Sequence, residues 1–162
     1  ARRQQGVDGA RWRPPETLHV TLRFFGDLRE DVARDLDAEL SRLDAQAFAF
    51  QLEGAGSFGE GRDIHAIWAG VTETPALTRL AKTCETAARR SGLKPDTRHY
   101  RPHVTLAYLR HADPAEVASW IQANNLLKSP SGAADRFGLY SSHQTKDGSV
   151  YRLEFYDGET LA

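Results

Sequence analysis

The chain has 162 residues, enough for one domain of ordinary size and too few for two large ones. At 40% hydrophobic and 27% charged it has a globular composition, which excludes a disordered or fibrous chain. Lys plus Arg (21) nearly balances Asp plus Glu (22), so no general basic coat is available for duplex nucleic acid, and phosphate recognition has to come from a local site.

In chain order, residues 17–25 (TLHVTLRFF) predict a strand, with Val20, Leu22 and Phe24 on one face and His19, Thr21, Arg23 and Phe25 on the other. Gly26 ends it, and Asp27 with Glu30 forms a D-x-x-E capping box. A helix to about Leu43 follows, with Val32, Leu36, Leu40 and Leu43 on one face. Residues 48–52 alternate as a strand, 54–63 read as a Gly-rich loop, and 64–71 (IHAIWAGV) as a buried strand. Thr74 caps a second helix with Pro75 at its first position, a stripe of Leu77, Leu80, Ala81, Cys84 and Ala88, and Gly92 as its stop. Residues 99–109 are strand-like, and Asp113 to Glu116 caps a third helix that buries Val117, Trp120 and Ile121. Two strands, about 136–141 and 150–156, close the chain around an Asp147-Gly148 turn. Hairpins dominate and helices are few, which predicts α+β with antiparallel sheets.

Cys84 is the sole thiol, so no intrachain disulfide can form, and its place on an apolar helical stripe makes it a core residue. No apolar stretch approaches the roughly 20 residues that span a bilayer. The first residues, ARRQQGVDGARWRPPE, are polar and lack the apolar region of a signal peptide. A cytoplasmic, monomeric protein is expected, and the absence of any Met predicts that the sequence starts downstream of its natural beginning. Arginine outnumbers lysine 17 to 4, which either phosphate handling or a GC-rich coding preference accounts for.

His-Val-Thr-Leu occurs twice, at 19–22 and 103–106, each time after an upstream proline and before a D-x-x-E helix start. On a strand, i and i+2 share a face, so His19 pairs with Thr21 and His103 with Thr105, while Val20, Leu22, Val104 and Leu106 anchor the backbone. Two such half-domains related by a pseudo-twofold axis line one cleft with two imidazoles and two hydroxyls. In-line displacement at phosphorus needs a base on one side and an acid on the other, and histidine serves either role near neutral pH. An isolated strand histidine is usually structural; the repeat is what marks this pair. The spacing of His99 and His103 mimics a metal motif, but no Cys or carboxylate lies nearby to complete it, so no metal or cofactor is expected. His65 is expected in a buried or rim position, and His111 and His143 in solvent. Gly54-x-Gly56-x-x-Gly59 matches neither a P-loop nor a dinucleotide fingerprint.

Paired His-x-Thr motifs resemble the two-histidine (2H) phosphoesterases. The segments ARWRPPETLHVTLRFFGDL, IHAIWAGV, RHYRPHVTLAYL and LYSSHQTKDGSVYRLEFY are similar to the first motif, central strand, second motif and closing hairpin of the RNA 2′,3′-cyclic phosphodiesterases, also called 2′-5′ RNA ligases. The resemblance covers essentially the whole chain. It implies a single bilobal α+β domain over 1–162, with two antiparallel sheets about a cleft and helices outside. It implies metal-independent hydrolysis of terminal 2′,3′-cyclic phosphates to 2′-phosphomonoesters, with ligation as the reverse reaction. By the same resemblance His19 is the proton donor, His103 the acceptor, and Thr21 and Thr105 hold the phosphate. Two departures stand out. The family usually has Arg five residues after the second motif's His, where this chain has Tyr108; Arg23 and Arg110 are the candidates to replace it in substrate binding. The family also begins with a strand ahead of the ARW-like segment, which is expected to be missing here. The alternatives are a related esterase acting on a small cyclic nucleotide or 2′-5′ oligoadenylate, and a nucleotide-binding module without turnover.

Overall fold

In the computed structural model of the chain, residues 6–146 and 148–156 are described. The elements run β1 (Ala10–Trp12), a 3₁₀ turn at Pro15–Thr17, α1 (Glu30–Leu40), β2 (Phe48–Phe50), β3 (Leu52–Phe58), a 3₁₀ turn at Gly61–Asp63, β4 (Ala66–Val71), α2 (Pro75–Arg90), β5 (His103–Leu109), α3 (Pro114–Asn124), β6 (Gly132–Ala134), β7 (Gly138–Thr145) and β8 (Gly148–Tyr156). Every strand pairing is antiparallel, and with the helices this is the expected α+β class. No helix among the described residues is long and apolar enough to cross a membrane.

The chain forms two units. One takes in the residues up to Val20, Gln51–Thr72 and Pro102–Ser131. Its sheet has the order β1-β5-β4-β3. Ile67, Ala107 and Leu109 from the strands meet Val117 of α3 in a buried cluster, flanked by Trp12, Trp120 and Ile121. Asp113 caps α3 as expected, its Oδ1 accepting the Ala115 N–H at 2.9 Å. The other unit comprises Thr21–Phe50, Glu73–Arg101 and the chain from Gly132 onward. Its core joins Leu36 and Leu40 of α1 to Cys84 and Ala87 of α2, with Leu22, Phe25, Leu28 and Leu139 packed around them. Thr74 Oγ1 accepts the Leu77 N–H at 3.3 Å, Pro75 opens α2, and Gly92, at φ +85°, follows its last turn. Burial pushes the Cys84 thiol up to about 11, as befits a core residue.

Three expectations need correction, and one short strand was not expected. Residues 17–25 do not form a strand: Pro15–Thr17 is a 3₁₀ turn, and Val20 alone bridges Val104. The apolar residues beyond it reach the core at a spacing of three, Leu22, Phe25 and Leu28, rather than two, which leaves Phe24 68% exposed. The D-x-x-E box does not cap α1, whose N-cap is Arg29 with no side-chain hydrogen bond. The first half of the Gly-rich segment is a strand, because β3 runs through Gly54 and Gly56 to Phe58, and its end is the 3₁₀ turn at Gly61–Asp63. Short β6, paired with β2, went unpredicted, its Gly-Ala-Ala carrying no strand signal. The closing hairpin forms as β7 and β8; Asp147 of its predicted turn lies outside the described residues.

Candidate active site

The four-stranded sheet has two unlike faces. One is the apolar face packed with α3. On the other, Gly70, Trp68 and Ala66 alternate along β4, and their partners on β5 are His103, Thr105 and Tyr108. A β-bulge makes that set. The ladder shifts between Ile67 and Trp68 and skips Leu106, so Tyr108 rather than Ala107 follows Thr105 on this face, and Ala107 turns into the core. Strict alternation from His103 would have put Tyr108 on the wrong side.

The far edge of β5 is met by the short strand β1 and, further along, by a single bridge at Val20. β1 pairs Ala10 with Leu109, Arg11 with Tyr108 and Trp12 with Ala107, and the Arg13 N–H donates to Leu106 O at 2.8 Å. Pro14 and Pro15 then carry the chain away from the ladder, since neither has an N–H to donate. It returns at Val20, which forms an antiparallel bridge with Val104. That bridge brings Val20, the residue after His19, alongside Val104, the residue between His103 and Thr105. His19 Nδ1 lies 2.8 Å from Thr17 O, a contact that fixes the ring's orientation and suits a protonated Nδ1. His19 is exposed, whereas His103 and Thr105 are half-buried.

Aromatic side chains enclose His103. The Phe58 ring meets it edge-on at 4.8 Å between centroids, and the Trp68 ring lies at 6.0 Å. His65 also stacks on Phe58, at 6.3 Å between centroids, and is exposed. Gly56 makes room for this group: a Cβ there would collide with the six-membered ring of Trp68. The Gly-rich segment therefore serves strand packing beside the histidine rather than phosphate cradling.

The family model for the 2′-5′ RNA ligase superfamily matches residues 2–146. The chain belongs to that superfamily. Among its relatives, an RNA 2′,3′-cyclic phosphodiesterase of Archaeoglobus fulgidus is 29% identical over 147 residues, spanning 91% of this chain and 82% of the relative. A second, of Aquifex aeolicus, is 27% identical over 154 residues with the same coverage. Of solved structures, Escherichia coli LigT complexed with 3′-AMP superposes with a TM-score of 0.70 at 26% identity, covering 91% of this chain and 80% of that one.

The other residues singled out from the superfamily's motifs fall as follows. Thr21 begins the second unit, and its carbonyl accepts the Tyr100 hydroxyl at 3.1 Å. Burial pushes that tyrosine up to about 12, so it stays a donor across the physiological range. Arg23 is engaged within the second unit. Its guanidinium, 12% exposed, bonds Glu85 and the carbonyls of Phe24 and Lys94, and sits 4.0 Å from Asp96. Burial works to raise Glu85, but hydrogen bonds from Arg89, Arg23 and the Asp96 N–H outweigh it and hold the carboxylate below its usual range. Hydrogen bonds from Arg98 lower Asp96 as well. To reach a phosphate, Arg23 would have to leave Glu85. Arg110 is exposed just past the end of β5. His111 and His143 are exposed as expected, and His111 takes a positive φ of 53°. Phe58, Trp68 and Arg13 were not singled out from the sequence. Trp68 carried a readable signal, since it alternates with the buried Ile67 and Ala69.

Proposed function

We propose that this protein hydrolyses the 2′,3′-cyclic phosphate at the 3′ end of RNA to a 2′-phosphomonoester, with His19 and His103 as its acid and base. The activity is that of its relatives; the observation that supports these residues is the Val20–Val104 bridge, which joins the backbone next to His19 to the strand of His103 and Thr105. In the reaction His103 takes a proton from water as the oxygen attacks phosphorus. The P–O3′ bond breaks in line, and His19 delivers a proton to the departing O3′. Both protons are accounted for, and exchange through solvent resets the pair. The direction of transfer follows the family resemblance.

The hydroxyls of Thr105 and Thr21 are assigned to the non-bridging oxygens, where charge builds as the fifth bond forms. Tyr108 and Arg110 are assigned to the substrate, and Arg23 joins them only by exchanging its carboxylate partner. Phe58 and Trp68 pack beside His103 and flank its ring. A related esterase for small cyclic nucleotides would use the same face, so substrate length separates the two readings.

No metal is required by this scheme, because histidines and hydroxyls supply the proton transfers and the phosphate contacts. Turnover of RNA ended by a 2′,3′-cyclic phosphate is therefore expected to be unchanged by an excess of EDTA, measured by release of the ring-opened product. Loss on chelation that a divalent ion restores would overturn the His19–His103 scheme.

A further inference from the structure

The two His-x-Thr copies are held in place by different means. The second is part of a ladder: His103, Val104 and Thr105 pair with Gly70, Ala69 and Trp68 of β4, so the neighbouring strand sets where the Thr105 side chain leaves the backbone. The first copy has no such frame. Thr21 lies outside every helix and strand, one residue past the single bridge at Val20, and the chain bends at Leu22 directly after it. Yet by the assignment above Thr21 has to offer its hydroxyl to a non-bridging oxygen, and a hydroxyl is only as well placed as the backbone that carries it.

A side chain supplies the missing constraint. The Tyr100 hydroxyl donates to the Thr21 carbonyl at 3.1 Å, and both residues belong to the second unit. That carbonyl lies in the planar peptide joining Thr21 to Leu22. Holding it limits the rotation of the plane, while Leu22, packed against the core of α1 and α2, holds the plane's far end. Thr21 then sits between a bridged residue and a clamped peptide, which narrows the directions open to its Cα–Cβ bond. Tyrosine suits the task. It has two side-chain torsions, so little freedom is lost in holding its hydroxyl at one point, and half-burial of the Tyr100 ring restricts them further. With its pKa pushed up to about 12 by burial, the hydroxyl remains a donor at any pH suited to assaying RNA.

Resting on the hydrolysis and the Thr21 assignment proposed above, we propose that Tyr100 is a positioning residue of this site: its hydroxyl clamps the Thr21 carbonyl and thereby aims the Thr21 hydroxyl at the reacting phosphate. In this role Tyr100 neither gives nor takes a proton.

The test is a cycle on kcat/KM for RNA ended by a 2′,3′-cyclic phosphate. Tyr100→Phe is made in the parent chain, in Thr21→Ala and in Thr21→Ser, and each is assayed well below its melting temperature. The change keeps the ring and deletes the donor. In the parent it is expected to lower kcat/KM about three- to tenfold, the contribution of one hydrogen bond. In Thr21→Ala it should lower the rate no further, because no hydroxyl is left to aim; in Thr21→Ser the loss should return. Tyr100 does not titrate in the assay range, so Tyr100→Phe should lower the rate by one factor at every pH and leave both limbs of the profile in place. No loss in the parent, or an equal loss in Thr21→Ala, overturns the positioning role; an equal loss would mean that the bond steadies the fold at large. A limb removed with the hydroxyl would overturn it too, by making Tyr100 a participant in proton transfer. Full activity of Thr21→Ala would overturn the phosphate role of Thr21 and this inference with it, whereas failure of the parent to turn over the RNA would overturn the proposed activity itself.

Discussion

Replacing His103 with alanine is expected to lower kcat/KM on cyclic-phosphate RNA by a factor of about 10²–10⁴, the contribution typical of a general acid or base. His19→Ala should fall in the same range. The expected result for the pair is more informative than either alone. If one histidine must give a proton while the other takes one, removing the first makes the second useless, and the double variant should be little worse than a single one. Losses that multiply would mean two independent contributions and would contradict a coupled pair. His19 is exposed and His103 half-buried against Phe58, so thermal melts of both variants belong beside the kinetics. A His103→Ala variant that melts much earlier would be replaced by His103→Asn, which keeps much of the ring's volume.

The second large effect separates acid from base. Protonation of O3′ matters only while the leaving group is poor. On a nitrophenyl phosphodiester, whose leaving group departs as an anion, His19→Ala should keep far more relative activity than on RNA. His103→Ala should stay impaired on both, since water still needs its base. Rescue of His103→Ala in place of His19→Ala would reverse the assignment. Rescue of neither would mean that the histidines act by holding the phosphate.

The sequence was legible where a local rule governed. Thr74-Pro75 and Asp113-Pro114 announce α2 and α3 through caps, and both caps form as side-chain hydrogen bonds. The repeated His-x-Thr marks a candidate pair, but its first copy does not lie on the strand that alternation predicts. Alternation over 17–25 is necessary for a strand but does not supply a partner. The partner, Val104, is met only at Val20, because two prolines detach the preceding segment from β5. Register defects were not legible at all. Nothing in His-Val-Thr-Leu-Ala-Tyr-Leu marks Leu106 as the skipped residue, and that skip alone decides that Tyr108 stands on the histidine face. Gly56 was visible as a glycine but not as the space for Trp68, because the ring that fills it comes from the neighbouring strand. Such facts are non-local: they follow from which strands pair, and pairing is fixed by the fold as a whole.

The most direct measurement is of the product. An RNA ended by a 2′,3′-cyclic phosphate is incubated with the protein in water enriched in ¹⁸O, and the ring-opened end is compared with authentic 2′- and 3′-phosphomonoesters. The account predicts a 2′-phosphate carrying one labelled oxygen and a free 3′ hydroxyl, formed by the parent chain and lost in His103→Ala. A 3′-phosphate would mean that the P–O2′ bond breaks and that the departing oxygen assigned to His19 is the wrong one; an unopened ring would contradict the proposed activity outright.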